Sequence, residues 1–480
     1  MPTPYSLLPM PKPSTMLSDA FGTFAVRIVG IALMFVSTTV TAKILGPAEY
    51  GIYSAALALA VLLAALAPLG SDRILVRSLS STRCPAETAR ETAIAHLCTA
   101  IVATFLVCGA LTVWLVCGLV LDNQKWARTT LLATMMFIPL TIIYLRQWLA
   151  IPIIGSRRAV VPEQTILPFV FTTTLLLMAA AGWTLSATIA AVTYAIIMGV
   201  VWIGASQTGP IRTVYRSAWN AVPNESLLNI RRQLREGLPF VGVSMGNLLT
   251  QSCMPFVIAA TCGFEETAYF ALAFPFAAMI AIPQGAINLN LIPRCARHFK
   301  QGEFAEANHA VRSAATMMFL PAVALSLLIW LCSPLLTTLL GTDYSMVGRL
   351  LPALLLGVIV DCLTGPTIPV MQTMRMEKTY SYALSAFIPI QLGIFYWFGR
   401  IAGIEGTAVA YLTARCLWNI IVFAAIYRQR GLVMLPYLRV TQAFKESFPE
   451  SETQTRRRSE QSQWKNLSSP EVAVAPARAA

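Results

Sequence analysis

The nine residues LGPAEYGIY, from Leu45 to Tyr53, join two apolar runs that are too long for a soluble core. The first extends from Ala20 to Leu45 and the second from Tyr50 to Gly70, and each exceeds the roughly 20 residues a helix needs to cross about 30 Å of hydrocarbon. The pair therefore reads as a membrane hairpin. Gly46 suits the left-handed conformation that ends a helix, Pro47 pre-sets the first turn of the next, and Glu49 places a negative charge at that helix's positive dipole end. Tyr50 and Tyr53 are expected at headgroup level. The same layout returns 217 positions later as CGFEETAYF, Cys262 to Phe270, which aligns Gly46 with Gly263, Glu49 with Glu266 and Tyr53 with Phe270. The chain reads as two related halves.

Hydrophobic residues make up 56% of the 480 and charged residues only 12%, about half the usual share in a soluble domain. The fold class that follows is all-α, a polytopic membrane protein. The first apolar run is too long for the 7 to 15 residues of a signal-peptide core, so it is expected to stay as an uncleaved first span. The ten cysteines lie in apolar surroundings without a CxxC pair or nearby histidines, and read as small hydrophobes rather than metal ligands.

Twelve spans are expected, near 20–45, 50–70, 93–120, 129–150, 160–181, 183–205, 237–260, 265–290, 312–333, 346–372, 379–399 and 404–427. Alternate connections hold the positive charge: Arg73, Arg77, Arg83 and Arg90, then Arg157 and Arg158, then Arg212, Arg216, Arg231, Arg232 and Arg235, then Arg294, Arg297 and Lys300, then Arg375 and Lys378. The other connections are short and nearly neutral. By the positive-inside rule both termini are cytoplasmic, and the net charge of +13 is a topology signal and an attraction to anionic lipid, not to nucleic acid. The predicted organisation is a cytoplasmic segment 1–19, a six-helix lobe 20–205, a basic cytoplasmic linker 206–236, a second six-helix lobe 237–428 and a tail 429–480 of disordered composition. Both halves start on the same side, so the repeat is parallel.

Charges and amides within spans are expensive and belong on the bundle interior or a water-filled cavity. Thr23, Arg27, Gly30, Met34, Thr38 and Thr41 recur at helical spacing and make one weakly polar stripe on the first span. Adding 217 to Arg27, Gly30 and Met34 gives Ser244, Asn247 and Gln251, again one helical face. Spans one and seven are thus expected to line a shared lumen, against the plainer reading in which Arg27 snorkels and the amides bond between helices. Gln284 and Asn288 add amides on the eighth span. Arg73, Arg146 and Arg294 sit where spans reach the cytoplasm, either as a mouth for phosphate or as ordinary interfacial arginines. Asp361, the lone acid of the tenth span, is a candidate for proton or sodium coupling or for a structural ion pair with Arg415. Glu163 and the three histidines are placed near membrane ends.

The sequence contains no P-loop, GxSxG elbow, metal-ligand motif or acidic cluster, and no loop is large enough to fold as a catalytic domain. A membrane glycan ligase or polymerase, the rival from another class, would place charged residues in a sizeable outer loop. The stretch LGPAEYGIYSAALALAVLLAALAPLGSDRILVR, ending at Arg77, resembles the opening of the Wzx-type O-antigen and exopolysaccharide flippases of the multidrug/oligosaccharidyl-lipid/polysaccharide (MOP) exporter superfamily. The similarity continues through LLGTDY ending at Tyr344, QTMRMEK ending at Lys378 and GIEGTAVAYLTAR ending at Arg415. The second half departs from it where FEETAYF stands in place of GPAEYGIY.

That resemblance implies a two-lobed, MATE-like bundle in the bacterial inner membrane. Such a bundle moves an undecaprenyl-diphosphate-linked oligosaccharide between leaflets by alternating access, without a cofactor. Membrane lipid, a polysaccharide polymerase and chain-length proteins are the partners it suggests; a peptidoglycan-precursor flippase and a cation-coupled drug exporter are the neighbouring alternatives. The topology is open to direct measurement. A cysteine introduced by Ser217→Cys should resist an impermeant thiol reagent applied from the periplasm, and strong labelling from that side would overturn the assignment.

Overall fold

The computed structural model describes residues 13–81, 84–221, 229–237, 252–281, 284, 287–288, 291, 295, 297–299, 301–374, 376–432 and 434–437. These residues are 91% helical, with no strand among them. Among the described residues, nine helical segments are long and apolar enough to cross a membrane. Two of them, α1 (Pro13–Leu66) and the last helix (Glu377–Arg430), have 54 residues each. A straight helix of that length would measure about 80 Å, far beyond the hydrocarbon thickness. Each is broken instead, the first at Gly46 (φ 73°) and the last at Ala402 and Gly403 (φ 58°), so each supplies two crossings.

Between these ends the chain runs through α2 (Ser71–Ser81), α3 (Pro85–Leu115) and α4 (Gln124–Ile154). The expected fifth span is α5 (Ser156–Val161) and α6 (Leu167–Ala180), joined by a π turn over Pro162–Ile166. It is followed by α7 (Ala187–Ser206) and α8 (Gly209–Ala221). The second half shows α9 (Met254–Thr261), α10 (Phe264–Ala278), α11 (Phe304–Leu340), α12 (Ser345–Leu363), α13 (Thr367–Thr373) and α14 (Glu377–Arg430). Most of the expected seventh span, including Ser244, Asn247 and Gln251, lies outside the described residues, as do Arg294 and the tail beyond 437. The linker contains the amphipathic α8, which buries Ile211 and Ala218 and exposes Arg212, Arg216 and Trp219.

The packing surfaces are built from small residues. Ala42, Ala55, Ala56, Ala60, Ala64, Ala268, Ala273 and Ala277 are buried in one continuous core, which lets helix backbones approach closely, as membrane bundles require. Large apolar side chains such as Phe105, Leu119, Leu331 and Trp397 point outward instead. A lipid-facing surface has that composition.

At the end of the bundle that carries the turns after Gly46 and Gly263, the two halves are fastened together. Both glycines have positive φ, 73° and 125°, so the chain ends one helix and starts the next at matching points of the repeat. A methyl group on Gly51 would fall 1.7 Å from the carbonyl oxygen of Phe264, so only glycine permits this approach of the two halves. The Tyr344 hydroxyl donates to the Ala42 carbonyl at 2.6 Å, and the rings of Trp126 and Phe264 lie 5.3 Å apart.

Glu49 acts differently from the expectation. Its carboxylate accepts from both Nη atoms of Arg128 at 2.9 and 2.8 Å and from the backbone N–H of Ala187 at 2.6 Å, so it caps α7 rather than its own helix. Tyr50 and Tyr53 also depart from their expected headgroup position. Both are buried among the small residues of the hairpin, Tyr53 packed against Phe171 and Tyr194 and Tyr50 with its ring 6.3 Å from that of Tyr53.

The fastening predicts measurable costs. Tyr344→Phe removes one buried hydrogen bond and should lower stability by about 1 kcal/mol. Gly51→Ala forces the halves apart and should cost roughly 1–3 kcal/mol. Both are read as a lowered Tm of the detergent-solubilised protein; melting of Gly51→Ala at the parental temperature would contradict the close approach.

Candidate functional site

A cavity of about 300 Å³ lies between the halves, at the lower end of the range for small-molecule sites. Its first-half wall comes from Met34, Ser37, Thr38 and Thr41 on the first leg of α1 and from Tyr50, Tyr53, Ser54, Leu57 and Ala58 on the second. Glu163, Phe171 and Tyr194 complete that wall, and Ser252, Pro255, Phe270, Ala271, Phe274 and Pro275 form the other. Tyr53, Ser54, Leu57 and Ala58 match Phe270, Ala271, Phe274 and Pro275 at the same 217-residue offset that the sequence repeat shows. The cavity is walled by corresponding positions of the two halves.

The chemistry of the walls is unequal. The first half contributes hydroxyls and one carboxylate, whereas Phe270, Phe274, Pro255 and Pro275 make the second-half wall apolar and aromatic. Thr38 donates its hydroxyl proton to the Met34 carbonyl at 2.8 Å, Thr41 to Ser37 at 2.7 Å and Ser54 to Gly51 at 3.1 Å. Their remaining lone pairs therefore face the cavity as acceptors.

Glu163 lies in the π turn between α5 and α6, and such turns recur at functional sites. Its Oε1 is buried and has no hydrogen-bond partner among the described residues. This acid was placed near a membrane end by its sequence position, and the signal that could have singled it out is the pair of prolines, Pro162 and Pro168, that brackets it in an apolar span. The first leg of α1 passes close by: a methyl on Gly30 would lie 2.8 Å from the Gln164 carbonyl oxygen, and one on Gly22 would lie 2.9 Å from Arg157. The two segments therefore run parallel. Arg27, three residues before Gly30, stands about 3 Å nearer the arginine-rich end of the bundle than Glu163, the residue before Gln164. It is exposed and shares the helix face of Met34, Thr38 and Thr41.

The other residues singled out in the sequence separate into distinct places. Arg146 does not open onto the surface; it is 1% exposed, because its guanidinium is drawn inward to donate to the carbonyls of Ala159 at 3.3 Å and Ala205 at 3.2 Å. It ties the starts of the fifth span and the end of the sixth to α4, and its charge acts on Glu163. Arg73 is exposed at the same end, stacked over Trp148 at 4.4 Å and 3.7 Å from Asp72. Burial pushes the Asp72 carboxyl above the usual carboxylate range, against the pull of Arg73 and of backbone amides. Gln284 and Asn288 lie beyond the 3₁₀ turn Met279–Ala281 and do not line the cavity.

Asp361 belongs to a separate cluster within the second half. The Asn419 side-chain amide donates to its Oδ1 at 2.6 Å, Arg415 Nη1 lies 3.5 Å from Oδ2, and the Thr364 hydroxyl donates to Oδ1 of Asn419. Arg415 also rests over the Tyr411 ring at 5.1 Å.

A helical bundle that spans a membrane many times, with a cavity walled by corresponding positions of two repeats, defines the class of membrane transporters. The family model for polysaccharide biosynthesis proteins matches residues 16–299, and the MatE model matches 242–397. The chain belongs to the polysaccharide biosynthesis protein family, and with it to the MOP superfamily of flippases and transporters. Among solved structures, a multidrug resistance MATE family transporter in its inward-facing conformation is similar with a TM-score of 0.63 at 14% identity, covering 86% of this chain and 99% of that one. The lipid II flippase MurJ in an inward closed conformation gives 0.64 at 13% identity, covering 85% and 87%. An outward-facing MATE transporter gives 0.53 at 14% identity, covering 86% and 96%. No curated protein sequence matches.

Arg146 supports a stability prediction. Arg146→Met leaves two buried carbonyls without their donor and removes the positive charge that acts on Glu163, which should cost roughly 3–5 kcal/mol, and adding Glu163→Gln should recover part of it, because the charges act on one another. Thermal unfolding of the single and double variants checks this. Strictly additive losses would show that the two side chains are uncoupled.

Proposed function

We propose that the protein is a flippase that carries an undecaprenyl-diphosphate-linked oligosaccharide across the bacterial inner membrane for polysaccharide biosynthesis, O-antigen or exopolysaccharide. The observation that carries this reading is the cavity itself: it lies between the halves, is walled by both, and combines hydroxyl acceptors with aromatic faces in a chain of the polysaccharide biosynthesis family. With both termini and the linker cytoplasmic, the contacts among Gly51, Phe264, Tyr344 and Ala42 form a periplasmic latch. Loading then occurs from the cytoplasmic side, where Arg27 supplies a guanidinium for the diphosphate. Ser244, Asn247, Gln251, Gln284 and Asn288 are proposed to line the second-half side of the same path, and Arg73, Arg146 and Arg294 its cytoplasmic mouth. Of these, Arg146 acts by holding the fifth and sixth spans in place. Membrane lipid surrounds the path, and a polymerase and chain-length proteins receive the product.

Asp361 is proposed as the coupling carboxylate, with Arg415 as its counter-charge. Protonation or sodium binding at Asp361 would weaken its hold on Asn419 and Arg415 and so loosen α12 from α14. A cation-coupled drug exporter is the second reading, favoured by one feature: the described cavity wall holds an acid and aromatic rings but no lysine or arginine.

Arg27→Ala should abolish surface polysaccharide with protein level and insertion unchanged, and Arg27→Lys should restore it only in part, since an ammonium lacks the guanidinium fork. The same strains are scored for resistance to ethidium. Full surface polysaccharide from Arg27→Ala, or loss of ethidium resistance alone on deleting the protein, would reject the flippase reading.

A further inference from the structure

The acceptors of the cavity wall outnumber its donors, and this bears on which part of a lipid-linked sugar it holds. The hydroxyls of Thr38, Thr41 and Ser54 spend their protons on their own helices. Glu163 Oε1 is buried beside them without a partner among the described residues, although an ungratified buried carboxylate oxygen is costly. The positive charge that acts on Glu163 is Arg146, whose Nη atoms are already committed to Ala159 and Ala205, and the donors left on the wall are the neutral hydroxyls of Ser37, Tyr50, Tyr53, Tyr194 and Ser252, so the described wall brings no cation into the cavity. A phosphate brings only acceptors and negative charge, and a described wall with an acid and no lysine or arginine disfavours it. A sugar ring brings several hydroxyl donors and an apolar face. The donors meet the acceptors of the first-half wall, while the apolar face stacks on Phe270 and Phe274, whose rings lie parallel within 14°.

We infer that Glu163, with the back-bonded hydroxyls of Thr38, Thr41 and Ser54, forms a sugar subsite that accepts hydrogen bonds from the glycan while the diphosphate stays at Arg27, nearer the arginine-rich end. The inference rests on the flippase reading and divides the ligand within it. The carboxylate and the guanidinium follow each other along the path, so a sugar-bearing diphosphate satisfies both charges in one pose and a bare diphosphate satisfies only Arg27. Glu163 thereby sets specificity for the presence of a glycan.

The test uses the purified full chain in detergent and two soluble probes, farnesyl diphosphate and farnesyl-diphosphate-linked N-acetylglucosamine, titrated by calorimetry. The parent should bind the sugar-bearing probe more tightly. Glu163→Gln should lose about tenfold in affinity for the sugar-bearing probe and leave the bare diphosphate unchanged or tighter. Phe274→Leu, which removes the stacking face without touching a charge, should show the same sugar-selective loss and serves if Glu163→Gln fails to fold. Arg27→Ala should weaken both probes alike. If the parent binds neither probe, the flippase reading falls. If it binds both but the two cavity variants weaken them equally or not at all, the sugar subsite is overturned and the flippase reading stands. Loss of ethidium binding in Glu163→Gln with no change for either diphosphate likewise overturns the subsite and assigns Glu163 to an organic cation.

Discussion

Within hydrocarbon every polar group must find its partner inside the protein, and most features of this bundle follow from that constraint. It confines the chain to helices and leads many serines and threonines of the spans, Thr41, Thr134, Thr141 and Thr172 among them, to turn their protons back onto a carbonyl one turn earlier. Arg146, one of the largest fully buried side chains, is held by two carbonyl oxygens rather than by solvent. Glu49, at the turn, is satisfied three times over by Arg128 and the start of α7. Among the described buried side-chain atoms without a partner, Oε1 of Glu163 is the one carboxylate oxygen and the one on a residue that lines the cavity, and it lies in the π turn where the helix leaves its regular pattern.

The repeat supplies geometry and leaves the chemistry free. Gly46 and Gly263 place a chain break at the same point of each half, and residues seven to twelve positions beyond them face each other across the cavity. Yet Tyr53 and Ser54 on one side stand opposite Phe270 and Ala271 on the other. An ancestral symmetric pair of walls would have presented one kind of surface twice. The divergence yields one wall that forms hydrogen bonds and one that offers apolar contact, which suits a ligand with two unlike faces.

Much of this architecture was legible in the sequence, because span length, charge alternation and the 217-residue offset depend on local composition. The breaks at Gly46 and Gly403, the hairpin legs of α1 and α14, and the shared face of Arg27, Met34, Thr38 and Thr41 are properties of one helix at a time. What depended on packing between helices was not legible. Tyr50 and Tyr53 carried the usual signature of interfacial aromatics, but the alanine-rich surroundings drew them into the core. Glu163 looked peripheral by position along its span, and only the approach of Gln164 to Gly30 shows that its level is that of the cavity. Arg146 had the spacing of an interfacial arginine, and its two carbonyl acceptors come from residues 13 and 59 positions away.

The two acids within spans are in opposite situations, and the difference bears on how the halves can move. Asp361 has all its partners inside one half, so any change in its charge alters the contact between α12 and α14 and is felt first as a change within that half. Glu163 lies on a wall that faces the other half and lacks a partner of its own. A donor that arrives there removes a polar deficit that the protein otherwise carries, and it can touch Phe270 and Phe274 at the same time, so its binding favours arrangements in which the halves stay close around the cavity. A ligand shifts an equilibrium only by its unequal affinity for the two states. The acid without a partner can therefore sense occupancy between the halves, while the fully partnered acid can respond to the ion that drives the cycle.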